Sequence, residues 1–428
     1  MSLLDYSPYV DPTVVPRLTK DQARMSLTAY PPFLERLVGM WSRLADKPFR
    51  GITADGHVEP GLVRERGNHP APGRVAERAT AWLDMLAPEA RARVHFPVDS
   101  DLWRHWHNTP LLLRENQLEL LALTPAQREG ALALVRESLS AEGYRRTRTV
   151  MDNNLLLGRI DNLTDLLNDW SFTLSIFGRP SSASPWGWQL FGHHLSLNCL
   201  FCDGHMVLSP IFMGVEPDVG DGASNRRLFE PHEQAALAFA RTLGERDRTR
   251  AVLHGSMLTA EQPDGRYHPD DGRQVGGAFQ DNRIVPYEGV PVADLSRAQR
   301  HRLLGLAEIF LATMPDDPAA ARLREIERQL DRTRFAWIGP INDVDPFYFR
   351  IHSPVALIEF DHHSGIFLAN TDPARFHVHT IVRTPNGGDY GHDLLAHHYA
   401  AGGHHGHASH HHGHAHSHDG GQTFHSHD

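Results

Sequence analysis

Apolar positions follow two rhythms along the chain. In "LTPAQREGALALVRESLS" (123–140) and "LSRAQRHRLLGLAEIFLATM" (295–314) they recur at the three-and-four spacing of an amphipathic helix. Each run opens on a hydroxyl cap, Thr124 in the first and Ser296 in the second. Strand-like segments follow each helix. The first set is "WSFTLSIFG", "WGWQLFGHHLSLNCLF" and "HMVLSPIFMG"; the second is "RFAWIGP", "FYFRIHSPVALIEF" and "FHVHTIVRTP". Both sets carry a histidine in the middle segment and another at the start of the third. The pattern predicts an α+β fold built by internal duplication: a helix plus a three-stranded antiparallel meander, twice.

The flanks differ from this core. "DQARMSLTAYPPFLERLVGMWSRLA" and "PAPGRVAERATAWLDMLAPEARARV" have helical spacing, and the second opens on proline, a good first-turn residue. Between them "FRGITADGHVEPGL" reads as a hairpin or loop turning at Asp55-Gly56. "LFEPHEQAALAFARTLGERDRTRAVL" adds a helix after the first set of strands. The expected organisation is a mainly helical part over 1–120, a core over 121–398 with halves at about 121–250 and 290–398, and a tail over 399–428. From His397 onward the chain holds 13 of its 31 histidines among Gly, Ala, Ser and Asp. Such a tract has no apolar face to bury, so disorder is expected there in the absence of metal.

Composition removes several function classes. A chain of 428 residues, 40% hydrophobic, can bury a real core. A formal charge of −10 argues against a general nucleic-acid surface. The only lysines are Lys20 and Lys47, and neither follows a glycine run, so a P-loop is excluded. No G-x-G-x-x-G follows a strand pattern, and G-x-S-x-G and H-E-x-x-H are absent. The opening residues carry acids and prolines where a signal peptide would be apolar, and no apolar run has bilayer length. Two cysteines make no disulfide framework. The expected compartment is the cytoplasm, with no membrane partner.

The chemistry lies in the histidines. In "FGHHLSLNCLFCDGH" (191–205), one strand over 186–201 would place Phe191, His193, Leu195, Leu197, Cys199 and Phe201 on an apolar face. His194, Ser196 and Asn198 would then line a pocket. Cys199 and Cys202 would face opposite ways unless the chain turns at Asp203-Gly204. C-x-x-C-x-x-H also lacks the second pair of a structural zinc site, so ordinary buried thiols are the plainer reading. In "FHVHTIVRTP", His377 and His379 share a strand face with Arg383 beyond them. An H-x-H strand can give two imidazoles to one metal, and it can also be a solvent-facing edge. "FRIHSPVALIEFDHH" supplies His352 and Glu359. Glu359 stands among apolar neighbours and needs an arginine (Arg350 or Arg383), hydrogen bonds or a metal. In "TPNGGDYGHDLLAHHYA", Asn386 to Gly388 form a turn, and Asp389 and His398 could close a site behind the H-x-H strand.

"FPVDSDLWRHWHN", "PWGWQLFGHHLSLN", "DNRIVPYEGV", "FYFRIHSPVALIEFD" and "FHVHTIVRTPNGGDYGHDLL" occur in this order and resemble the DUF3500 family from about residue 15 to about 400. That family is one of unknown function, so the resemblance implies no activity. It implies that the histidine-bearing strands belong to the shared body and that the tail is an addition. It also implies that the cysteines stand where such proteins carry ordinary apolar residues.

Together these readings predict a pocket in which His194, His352, His377 and His379 hold a divalent transition metal (Zn, Ni, Fe or Cu), with Glu359, Arg383 and Asp389 as acid–base or supporting groups. Metal ions and a small-molecule substrate are the expected partners. The expected function is metal binding in this histidine-lined pocket, with metal-dependent hydrolase or oxidoreductase activity left open as one use of it. Two alternatives stand beside it: a metal-handling protein acting through its tail, and a metal-free ligand-binding body.

Overall fold

The computed structural model describes residues 32–114, 117–218, 227–264, 266 and 272–402. The start of the first expected helix, 21–31, and the histidine-rich tail from 403 lie outside the described residues. The described helices are α1 (Pro32–Ala45), α2 (Pro72–Asp84), α3 (Pro88–Ala92), α4 (Pro125–Ser138), α5 (Ala141–Ile160), α6 (Glu230–Ala240), α7 (Glu245–Ala251), α8 (Arg297–Leu311), α9 (Asp316–Arg328) and α10 (His392–Ala400). The strands are β1 (His95–Phe96), β2 (Phe172–Phe177), β3 (Trp186–Gly192), β4 (Leu195–Cys202), β5 (His205–Val215), β6 (Val252–His254), β7 (Val290–Pro291), β8 (Arg334–Ile338), β9 (Tyr348–His352), β10 (Leu357–His363) and β11 (Ala374–Arg383). This is the expected α+β class.

The two caps are where the sequence placed them. Thr124 and Gln127 form a capping box at the start of α4, and Ser296 and Gln299 form another at the start of α8. Loss of either hydroxyl should cost about 1 kcal/mol. The segment 49–62 is a loop, not a hairpin; Gly56 has φ +94°, as an Asp-Gly turn requires. The helix expected after the first set is two helices, α6 and α7, broken at Gly244.

Each segment read as one middle strand is a hairpin. β3 and β4 reverse at His193-His194, and β9 and β10 reverse within 353–356. Each meander therefore has four strands rather than three. The sheet runs β1-β2-β3-β4-β5-β11-β10-β9-β8-β6, with β7 beside β8. The order is alike from both edges. A short strand lies parallel to its neighbour (β1 on β2, β6 on β8), and then come four antiparallel strands. The two meanders meet at the antiparallel seam between β5 and β11.

The hairpin also changes which residues share a face. Phe191 lies opposite Ser196, so it joins the Ser196 face rather than the Leu195 face. Leu195, Leu197, Cys199 and Phe201 do share one face, and they pack under the helices with Trp188, Leu134, Leu237 and Leu306. The other face of the sheet is covered by α1, α10 and the segments around Trp103, Trp106 and Phe279. The histidine-rich end of the seam opens onto this second face.

Candidate metal centre

β11 alternates, so His377, His379, Ile381 and Arg383 project to one side. Across the seam His379 faces Gly214 of β5. That glycine makes the space: a Cβ there would stand 2.8 Å from His379 Cδ2 and 3.3 Å from His194 Cδ2. His194 arrives from the β3–β4 turn with φ +62°. Its carbonyl accepts from the Gly214 N–H at 2.8 Å, and its own N–H donates to Asn108 O at 3.2 Å.

Three ring nitrogens then converge. His377 Nε2 lies 3.2 Å from His194 Nε2 and 3.0 Å from His379 Nε2. One ligand atom from each residue falls within 4.8 Å of the others, and all three residues are buried. Around a tetrahedral ion with metal–nitrogen bonds of about 2.0–2.1 Å, nitrogen–nitrogen edges are about 3.3–3.4 Å. The observed spacings need to widen by only a few tenths. Burial, reinforced by the neighbouring imidazoles, pushes all three rings well below the usual histidine range. They are neutral, as metal ligands must be.

A second layer of groups orients the first. His377 Nδ1 is 3.5 Å from Glu216 Oε1, just past the end of β5. Burial pushes the Glu216 carboxyl up to about 8. A cation at the three nitrogens would supply the charge that this carboxylate lacks. Helix α5 fixes both loops from behind. Asn153 Oδ1 accepts from the Glu216 N–H at 3.2 Å, and Asn154 Oδ1 lies 2.8 Å from His193 Nδ1.

β10 supplies the remaining side. Asp361 is the cross-strand partner of His379. Its Oδ2 lies 2.7 Å from His363 Nδ1, while its Oδ1 is buried without a hydrogen-bond partner. The His363 ring stacks on His379 with centroids 4.1 Å apart. With its side chain 16% exposed, His363 is the most open of these histidines.

The structure thus brings His194, His377 and His379 together. His352 is elsewhere. It shares the sheet face but pairs with Leu357, four residues along β10 from Asp361, or about 13 Å at 3.3 Å per residue. It packs on Tyr287. Glu359 also sits apart, accepting from the backbone N–H groups of Val275 (2.9 Å) and Gly276 (2.8 Å) and from the Tyr348 hydroxyl (2.7 Å). It pairs with neither arginine: Arg350 binds Glu288, and Arg383 binds Asp281 and Asp389. Asp389 further accepts from Ser209 Oγ and Thr384 N–H. His398 meets Asp203 at the other end of the molecule's second face. Cys199 lies in the core under the helices and Cys202 on the opposite side, so the two do not form a chelating pair. Burial pushes the Cys202 thiol up to about 12, which disfavours a nucleophilic or redox role.

Asp361, His363, Glu216 and Gly214 stand outside the set that the sequence pattern singles out. The first two had a visible signal. Asp361 and His363 continue the two-residue period of Glu359 in "IEFDHH". Glu216 and Gly214 become legible only once β5 is set beside β11.

A model of the family described as "Protein of unknown function (DUF3500)" matches residues 71–392. No curated protein and no solved structure matches the chain. No helix among the described residues is long and apolar enough to cross a membrane.

Proposed function

The chain belongs to the DUF3500 family, whose description carries no activity, and from the convergence of His194, His377 and His379 we propose that its body is a metal-dependent enzyme of the hydrolase kind. The observation that carries this reading is the set of three buried, neutral imidazoles whose Nε2 atoms face one another at 3.0 and 3.2 Å. Without an ion, their lone pairs would compete for too few protons. Three protein ligands leave a coordination position open. A divalent transition ion there would acidify a bound water or polarise a substrate oxygen.

The neighbouring residues fit that use. Asp361 fixes the tautomer and direction of His363, whose other nitrogen is then free to accept or return a proton. His363 flanks the trio on its open side, stacked on His379. Glu216 Oε1 stands 3.5 Å behind the second nitrogen of the His377 ring, where carboxylates behind metal-bound histidines stand. Access past a single partly exposed ring suits a small molecule better than a polymer. This pair of proton-moving residues favours hydrolysis over redox chemistry.

Metal content by mass spectrometry tests the reading. The chain ended at residue 402 keeps every element of the sheet. It should hold one tightly bound ion more than the His377→Ala/His379→Ala double variant. Loss of all metal with the tail would replace the enzyme by a metal-handling protein acting through residues 403–428. Absence of metal from both forms, with the fold intact, would leave a metal-free ligand-binding body.

A further inference from the structure

Cys202 ends β4, Asp203 follows it in the turn into β5, and His398 lies in α10, so two stretches of chain far apart in sequence meet at one corner of the second sheet face. Asp203 has φ +53° and Gly204 φ +82°, the conformation of a two-residue Asp-Gly hairpin. That turn directs the Asp203 carboxylate back past the Cys202 side chain. His398 Nδ1 lies 2.9 Å from both carboxylate oxygens, and Cys202 Sγ lies 3.6 Å from Asp203 Oδ2. One ligand atom from each falls within 4.8 Å of the other two.

We infer that Cys202, Asp203 and His398 form a second metal site, for a borderline divalent ion of the zinc class. The inference is independent of the histidine trio and stands or falls without it. The donor set is the first argument. Sulfur, imidazole and carboxylate together match a borderline ion, whereas all-oxygen sites suit magnesium and calcium. The spacing is the second. Bonds of about 2.3 Å to sulfur and 2.0–2.2 Å to oxygen give a sulfur–oxygen edge of about 3.5–3.6 Å on a tetrahedral ion, and the structure has 3.6 Å. The imidazole–carboxylate edge must open from 2.9 Å by about half an ångström. The third is access. The Cys202 residue is buried, but the Asp203 side chain is 46% exposed, so an ion can enter from the carboxylate side and leave a position for water. The nearby Arg66 is paired with Asp393 and leaves the Asp203 carboxylate available. On binding, the thiol proton passes to solvent and the sulfur coordinates as thiolate.

The only cysteines of the chain are Cys199 and Cys202, and the tail contributes imidazoles alone. A thiolate signal therefore reports this corner even in the full chain. Cobalt(II) alone, titrated until the signal saturates, should produce a near-ultraviolet thiolate-to-metal charge-transfer band. Cys202→Ser should abolish it. Cys199→Ser and the His377→Ala/His379→Ala pair should leave it unchanged. His398→Ala, a change at the edge of α10, should weaken cobalt affinity read from the same band at least tenfold. No band in the full chain, a band that survives Cys202→Ser, or an affinity untouched by His398→Ala would each overturn the site.

Discussion

Two ends of one strand make the most instructive contrast in this molecule. At the C-terminal end of β11, Arg383 is wholly buried, and its guanidinium meets an acceptor on each side. Its guanidinium bonds Asp281 (2.8 Å), Asp389 (2.9 Å), Gly276 O (2.6 Å) and Gly277 O (3.1 Å). Tyr390, Arg104, Ser209 and Thr384 close the remaining valences of the two aspartates. About four to six residues earlier on the same face, His377 and His379 turn their Nε2 atoms toward each other and toward His194. Nearby, His377 Nδ1 and Asp361 Oδ1 have no hydrogen bond. Burial is alike at both ends; completion is not. A saturated buried network is architecture, and a converging, unsatisfied one has room for a guest.

Acid should have the largest effect, because it charges imidazoles that the fold buries as neutral rings. Burial lowers His107, His193 and His352 to about 3, and lowers His194, His377 and His379 in the same direction. Each of these rings is neutral when folded and binds a proton when unfolded below about 6.5. The stability they provide is complete above that value and is lost as pH falls toward the folded value. Each contributes a slope of about 1.4 kcal/mol per pH unit. Glu216, raised to about 8, and Asp218, raised to about 7, act oppositely: their share is present at low pH and is lost as pH rises through those values. Urea unfolding of metal-free protein across pH 3–9 should therefore show maximum stability near pH 6.5, with a steep acid limb. A maximum above pH 8 would contradict this.

Arg383→Ala should come next, costing about 3–5 kcal/mol because buried Asp389 loses its counter-charge and Asp281 is left with Arg104 alone. Chemical denaturation measures it, and metal affinity of the folded fraction should not move. Glu216→Gln should do the reverse. Metal affinity, read by competition with a chelator, should fall 10–100-fold, with little change in denaturation midpoint of the metal-free protein. Glu359→Gln should be mildest. It keeps one oxygen acceptor for the 275–276 backbone or Tyr348 and should cost about 1–2 kcal/mol with metal binding intact.

Much of the centre was legible because strand periodicity is a local property. His377 and His379 share a face whatever surrounds them, and the capping residues Thr124 and Ser296 act within one helical turn. His352 also lies on a strand of the same sheet. Register decides how far along that sheet it falls, and register depends on the Ser353-to-Ala356 turn and on long-range pairing. His194 joins the trio by a route that strand alternation does not give. It reaches the site from a tight turn rather than from the polar face of a continuous strand. Glu359 shows the same limit from another side. Its isolation among apolar residues rightly demanded partners, but backbone N–H groups more than 80 residues away leave no mark in composition.

The seam between β5 and β11 has one more consequence. His194 belongs to the first meander and His377 to the second, 183 residues later. An ion shared by them would tie together two segments that in the unfolded chain wander far apart. In chain-entropy terms it acts as a removable cross-link around a very long loop, of the order of 5 kcal/mol for a tie of that span. The two meanders would then be held by hydrogen bonds that are always present and by a tie whose strength follows the supply of metal.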